Sequence, residues 1–261
     1  MAAEQFRFDD GAAYERHMGV WSRLAGEVFL DWLAPTPGLR WVDIGCGNGA
    51  FSELIVERCQ PAEVQGIDPS EGQLAFARTR PAARLARFGQ GDAMALPFPD
   101  ASFDVAVMAL VIFFVPDPAK GLSEMARVVR PEGTIATYAW DLFTGGFPLE
   151  PILAELRAMN VPPMMPPSPE ASRTENLRAL WATAGATDIE TRVIKVNRTF
   201  ASFDEFWSIA MTSNVRTVIG KMSASDAEGL KSRVRARFPA DAAGRITGAA
   251  HANAIKGRVT K

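Results

Sequence analysis

Val42-Asp43-Ile44-Gly45-Cys46-Gly47-Asn48-Gly49 closes a short apolar run on an acid and then passes through three glycines in five residues. Directly behind it, Ala50 to Cys59 reads as a helix, with Phe51, Leu54 and Ile55 spaced for one apolar face. A strand running into a glycine loop and then a helix is how α/β folds bring backbone N–H groups against a nucleotide-like ligand. Glycine lets the main chain turn tightly there and approach a ligand with no Cβ in the way.

The acid separates the possible ligands. Gly45, Gly47 and Ala50 also satisfy the general dinucleotide pattern, a weak signal when it stands alone. A pyrophosphate is anionic, and the Asp43 carboxylate would sit in its approach. S-adenosylmethionine (SAM) has no phosphate and carries an ammonium and a sulfonium, which favour a nearby carboxylate. Asp43 therefore tips the reading from a nicotinamide cofactor to SAM.

Working outward, apolar runs and helical patterns alternate. Strands are predicted over Arg40–Ile44, Val64–Asp68, Ala86–Gln90, Phe103–Ala109 and Thr134–Trp140, with helices over Phe51–Cys59, Ser70–Arg80 and Ala119–Val129 between them. This rhythm predicts a mostly parallel sheet with helices on both faces and ligands at the carboxyl edge. Ser70 with Gln73 makes a capping box, and Asp117-Pro118 is an N-cap followed by proline at the first helical position. Pro131-Glu132-Gly133 is expected to turn the chain into the next strand. Residues 13–33 read as an amphipathic helix stopped by Pro35-Thr36-Pro37-Gly38. Residues 141–170 read as an ordered lid or a mobile loop, in which the five prolines between 162 and 169 can form neither helix nor central strand, and the expected fold carries helical and proline-rich lid insertions. Helices over Glu175–Ala184, Phe203–Met211 and Ser223–Phe238 follow, with strands over Asp188–Phe200 and Arg245–Val259, the last small and polar for a central strand.

Composition narrows the function classes. A chain of 261 residues, 48% hydrophobic and 22% charged, reads as one globular domain with a sizeable core. The division is a helical cap (1–38), a cofactor-binding core (39–140), a lid insertion (141–175) and a C-terminal part of the sheet (176–261). A net charge of −2 gives no case for nucleic acid. Two cysteines, Cys46 and Cys59, and two unclustered histidines argue for a reduced, cytoplasmic protein without a metal site. No signal peptide or membrane span is expected.

Three further acids stand near strand ends. Asp68, in Gly66-Ile67-Asp68-Pro69-Ser70, lies about 20 residues past the glycine loop, where an acid accepts from ribose hydroxyls. Asp92 is placed to meet an adenine amino group, whereas Asp104 starts its strand and reads as structural.

At this point the chain resembles the class I SAM-dependent methyltransferases, in the broad group that includes ubiquinone- and menaquinone-type C-methyltransferases. The resemblance is carried by VDIGCGNG (42–49), GIDPS (66–70), GDAMALPFPDASFDVAV (91–107), VPDP (115–118) and EMARVVRPEGTI (124–135), in the family's order and spacing. YERHMGVWSR (14–23) and the tail from 176 are similar to that group less specifically. The resemblance implies a Rossmann-like seven-stranded sheet of order 3-2-1-4-5-7-6 with the last strand antiparallel. It also implies that Gly45, Cys46 and Gly47 line the methionine part of SAM, and that Asp68, with Pro69 and Ser70, takes the ribose. Asp92 and Ala93 would take the adenine, and Ala109 with Leu110 would sit beside the methionine chain. Tyr14 or Arg23 is a candidate for the SAM carboxylate.

One departure matters. Many relatives carry histidine in the segment matching Ile112-Phe113-Phe114-Val115, so no role for it carries over. Glu132, where the family often has glycine, lies in a turn and is expected to matter little.

Methyl transfer from SAM needs alignment and desolvation, with a general base only if the acceptor must lose a proton. Base candidates are sparse: His17, Tyr138, Asp141 and, more remotely, His251. Phe113, Phe114, Trp140, Phe143, Phe147, Met164 and Met165 would ring an apolar acceptor pocket. The expectation is a monomeric or homodimeric methyltransferase acting on a small, apolar or aromatic molecule. The rival readings are a SAM-binding sensor or scaffold without catalysis, and a nicotinamide-dependent oxidoreductase.

Overall fold

The computed structural model describes residues 15–260. Its centre is a seven-stranded sheet of order β3-β2-β1-β4-β5-β7-β6. The strands are β1 (Arg40–Ile44), β2 (Glu63–Asp68), β3 (Ala86–Gln90), β4 (Phe103–Ala109), β5 (Val129–Trp140), β6 (Thr187–Phe200) and β7 (Ile246–Arg258). The first five run parallel, and β7 is antiparallel to both β5 and β6. The register sets Ile44 beside Ile67 and Ala109 beside Tyr138, so the ends of β1, β2, β4 and β5 share one edge. β1 and β4 are almost wholly buried apolar runs, as strands covered on both faces must be.

Helix α1 (Val20–Leu33) follows a π-helical turn over Glu15–Gly19, and α2 (Ala50–Cys59) follows the glycine loop. Their buried positions, Trp21, Ala25, Phe29 and Leu33 in α1 and Phe51, Leu54 and Ile55 in α2, recur at helical spacing. α3 (Glu71–Ala77) is shorter than its pattern predicts, because the chain turns before Pro81 into a 3-10 segment. Helix α4 (Pro118–Val128) starts at Asp117, whose carboxylate accepts from the Lys120 N–H.

The two faces of the sheet are visible in β7. Its residues are small because tryptophans pack against it from both sides. A Cβ on Gly248 would meet Trp21 of α1 at 3.4 Å, and one on Gly257 would meet Trp181 at 2.9 Å. Positions nine apart in a strand face opposite ways. Trp181 belongs to α6 (Thr174–Thr183), which packs with α4. The small, polar pattern thus marks an interior strand under bulky neighbours.

Other expectations are corrected. Pro131-Glu132-Gly133 does not separate α4 from a strand, because Val129 already pairs with Phe103 and the intervening residues form a register shift in β5. Glu132 takes a left-handed backbone there, φ 62°. The segment 141–170, expected as an ordered lid or a mobile loop, is partly helical. It contains α5 (Glu150–Ala158), with Pro151 tolerated in the first turn and Ile152 and Leu156 in the core. Glu155 of α5 receives hydrogen bonds from Arg233 at 3.0 Å and Arg237 at 2.7 Å. Between β6 and β7 lie α7 (Phe203–Ala210), a short α8 (Val215–Ile219) with no sequence counterpart above, and α9 (Ala224–Ala236). Among the described residues no helix is long and apolar enough to cross a membrane.

Candidate active site

The carboxyl edge of the sheet opens into a cleft of about 510 Å³, bounded by the glycine loop, the end of β2, the turn after β3 and the end of β4. Backbone hydrogen bonds shape its floor. The N–H groups of Gly45 and Cys46 both donate to the Ile67 carbonyl, at 2.7 and 3.0 Å, crossing from β1 to β2. A Cβ on Gly45 would come within 2.6 Å of the Val111 side chain, so glycine lets the loop close against the chain after β4. Gly47, φ 52°, has open space where its Cβ would be, with only the Gln73 amide oxygen at 3.9 Å.

Asp68 is the hinge of the cleft. One carboxylate oxygen accepts from the Gly47 N–H at 2.9 Å and the other from the Ser70 N–H at 2.8 Å. Burial raises its pKa above the usual carboxylate value, against the pull of these two bonds. Ser70 in turn caps α3 by accepting from the Gln73 N–H. Pro69, Ser70, Ala93, Ala109 and Leu110 also border the cleft, and Asp92 does so while its carboxylate accepts from the Met94 N–H at 2.8 Å. Leu110 holds a left-handed backbone, φ 63°, with its N–H donated to the Tyr138 carbonyl. For a branched residue this conformation is strained, and such strain gathers at ligand sites.

Several candidates stand elsewhere than their sequence positions suggested. Asp43 does not border the cleft. Its carboxyl is completely buried and accepts from the Ser52 hydroxyl at 2.6 Å, while Oδ1 has no partner. Burial pushes its pKa up to about 7, with the Ser52 bond opposing and the Asp68 charge assisting. Cys46 does face the cleft, but burial and then the Asp43 and Asp68 charges push its thiol up, which makes it inert as a nucleophile. Arg23 turns away from the cleft, half-exposed, and pairs with Glu57 at 2.7 Å and Glu27 at 3.2 Å. Tyr14 and the His17 side chain lie outside the described residues.

Two polar groups at the cleft escaped the sequence reading. The Ser22 hydroxyl and the Gln73 amide oxygen are buried at its border without partners. Nothing local marks Ser22. Gln73 is legible as a capping residue, and its side chain also borders the cleft.

Of the base candidates, Tyr138 borders the cleft, wedged against Phe29 and Phe51 with ring centroids at 4.7 and 5.7 Å. Asp141 borders neither the cleft nor the cavity described below. It anchors the chain after β5, accepting from the N–H groups of Phe143 and Thr144, the Thr144 hydroxyl and the Asn253 amide. Burial would raise its pKa, but these bonds, led by Thr144, outweigh it and hold the carboxyl below the usual range. His251 lies beside this anchor, 3.1 Å from the Thr144 hydroxyl. Asp104 stands at the opposite edge, accepting from Arg40 N–H and Arg130.

Beside the cleft lies an apolar cavity of about 150 Å³, walled by Phe113, Phe114, Trp140, Phe147, Met164 and Met165 among others. Leu110 and Phe114 border both spaces. Phe143 does not reach the cavity, because its ring lies under the Arg173 guanidinium at 3.6 Å. Ser168 fastens the proline segment across the cavity, its N–H donating to the Phe113 carbonyl and its hydroxyl to that of Val115.

Comparison with known proteins agrees with this architecture. The family described as "Methyltransferase domain" matches residues 42–137. The ubiquinone/menaquinone biosynthesis C-methyltransferase of Roseobacter denitrificans is 38% identical over 117 residues, 43% of this chain and 47% of that protein. The malonyl-[acyl-carrier protein] O-methyltransferase of Methylococcus capsulatus is 36% identical over 151 residues, 58% of this chain and 50% of that protein. The chain thus spans about half the length of the curated relatives it matches. Among solved structures, the YcgJ protein of Bacillus subtilis superposes with a TM-score of 0.58 at 19% identity, covering 91% of this chain and 98% of that one. Residues 42–137 therefore match a methyltransferase domain, distantly related to the ubiquinone and menaquinone C-methyltransferases, within a sheet of class I methyltransferase order.

Proposed function

We propose that this protein transfers a methyl group from SAM, held in the cleft, to a small acceptor held in the apolar cavity. The observation that carries this reading is the shared border of the two spaces at Leu110 and Phe114. A cofactor in one and an acceptor in the other would meet there.

The cleft fits SAM on its own chemistry. Gly47 leaves open space at a backbone that must come close to a ligand. The unmatched Ser22 hydroxyl and Gln73 amide oxygen offer a donor and an acceptor to a molecule with an ammonium and a carboxylate. Asp68 and the buried Asp43 make the site hostile to a pyrophosphate and suited to a cation. In this reading Asp68 takes the ribose hydroxyls, Asp92 and Ala93 the adenine, and the 45–47 loop with Ala109 and Leu110 the methionine part.

Bound SAM supplies an already activated methyl group, so the chain's task is alignment and exclusion of water. The aromatic and methionine walls exclude water. Among the described residues the one charged side chain bordering the cavity, Arg157, is held by Glu150. No carboxylate or histidine among the described residues borders it, which favours an acceptor atom that is nucleophilic without strong general-base help. The two relatives above, one a C- and one an O-methyltransferase by name, leave the methylated element open.

The same lack of a base supports a second reading, a SAM-binding sensor without catalysis. Calorimetry with SAM and S-adenosylhomocysteine, followed by assay of S-adenosylhomocysteine release over a panel of small phenols and ketones, tests both. Binding with turnover supports transfer, binding without turnover on any acceptor supports the sensor, and no binding refutes both. Asp68→Ala should weaken SAM binding at least tenfold, since hydrogen bonds to a charged group contribute about 1.5–3 kcal/mol.

A further inference from the structure

One residue of the apolar cavity's wall carries an unmatched, buried polar group. Trp140 ends β5, is 1% exposed and forms part of the cavity wall. Its indole Nε1–H has no hydrogen-bond acceptor. An indole nitrogen can only donate, and an unmatched buried donor is rare in folded proteins. Among the described residues, the other polar ones around the cavity are engaged or exposed. Arg157 is held by Glu150, Ser213 Oγ donates to the Ala210 carbonyl, and Asn214 is exposed.

Trp41 supplies the contrast. It too is fully buried with an unmatched Nε1–H, but it sits in β1 and borders neither the cavity nor the cleft. An unmatched indole alone does not make a site. What sets Trp140 apart is the space beside it, large enough for a molecule of about benzene's size. An oxygen placed among such walls loses its hydration and needs a donor in return.

Resting on the reading of this cavity as the acceptor site, we infer that Trp140 selects the acceptor by donating its Nε1–H to an oxygen of that molecule. The acceptor class is then a compact apolar or aromatic molecule bearing a carbonyl or ether oxygen. Trp140 borders the cavity and not the cleft, whereas Leu110 and Phe114 border both. The recognised oxygen therefore lies at the end away from the methylated atom. A site built this way discriminates against an analogue lacking the oxygen, because the donor is then left unmatched.

Acetophenone and α-methylstyrene test this, since they share a shape and differ by an oxygen against a methylene. Their affinities are measured by ligand-detected NMR on the full chain saturated with S-adenosylhomocysteine, for wild type, Trp140→Phe and Trp41→Phe. Trp140→Phe should weaken acetophenone about 3- to 10-fold and leave α-methylstyrene within about twofold. Trp41→Phe should change neither. In wild type, acetophenone should shift one indole N–H resonance downfield and α-methylstyrene should not, a readout independent of whether the variants fold. An equal effect on both probes, no effect on either, no indole shift, or no binding of either probe to wild type overturns the inference. Failure to saturate with S-adenosylhomocysteine refutes the methyltransferase reading instead, and is seen in the same titrations.

Discussion

Asp43→Asn tests the electrostatics beneath the glycine loop. Asp43 is completely buried, with the Ser52 hydroxyl as partner and Oδ1 unmatched, and burial pushes its pKa up to about 7. In the unfolded chain an aspartate titrates near 3.9. Between these values the folded protein holds a proton that the unfolded chain has released. Stability from this group is therefore greatest below the unfolded value, falls as pH rises through the window, and levels off above about 7. Asparagine cannot ionise and removes that slope. Over pH 5 to 8 the slope amounts to about 2–3 kcal/mol.

Urea denaturation of both proteins at pH 5 and pH 8, at fixed ionic strength, measures it. The stability of Asp43→Asn relative to wild type should rise by about 2–3 kcal/mol between the two conditions. Asp68, also raised by burial, is present in both proteins and cancels to first order. A stability difference equal at the two pH values, within about 0.5 kcal/mol, refutes the reasoning, since an effect of about 2–3 kcal/mol exceeds the usual error of such extrapolations.

A cation bound above the loop favours the Asp43 carboxylate, so SAM binding near pH 7 should release part of a proton. Calorimetry in buffers of different ionisation enthalpy reads this, and a buffer-independent enthalpy refutes it. Gly47→Val places a branched side chain on a left-handed backbone at the cleft, and should cost at least tenfold in S-adenosylhomocysteine affinity in a protein whose circular dichroism is intact. Phe147→Ala enlarges the cavity without touching the cleft, so it should raise the acceptor KM and leave S-adenosylhomocysteine affinity within about twofold. In hydrogen exchange, α5 should be protected without ligand, while residues 161–167 should slow only when an acceptor is bound. Equal protection of both segments in the free protein contradicts that division.

What was legible in the sequence follows from how each feature is encoded. The β1 loop, the five parallel strands and Asp68 are written in local patterns, because the strand, its glycines and the acid at the end of the next strand obey fixed spacings. Side-chain direction is written less plainly. Arg23 and Ser22 are neighbours on α1, yet one helical step of about 100° sends the arginine to Glu57 and the serine to the cleft. The long charged residue attracted the cofactor reading, and the small hydroxyl is the one that borders the cleft. Asp43 shows the same limit, since its position in the motif does not tell that its carboxyl faces Ser52 instead of the cleft.

The cavity marks a deeper boundary. Apart from Ser22 and Tyr138, every residue bordering the cleft falls within the matched span 42–137. Of the residues bordering the cavity, only Leu110, Phe113 and Phe114 do, and the other walls come from α1's approach, the chain from Trp140 to Pro166, and residues 213–218. Those segments meet only through tertiary packing, and their hydrophobic pattern is the one any core would have. A motif of backbone geometry can be held in common by enzymes with unrelated acceptors, while each builds its own cavity from what the motif leaves free. The distinguishing feature of this cavity is then the group that breaks its apolar pattern. On the inference drawn above, that group is the Trp140 N–H, and its place in the cavity wall is visible only once the chain from β5 to the proline segment is assembled.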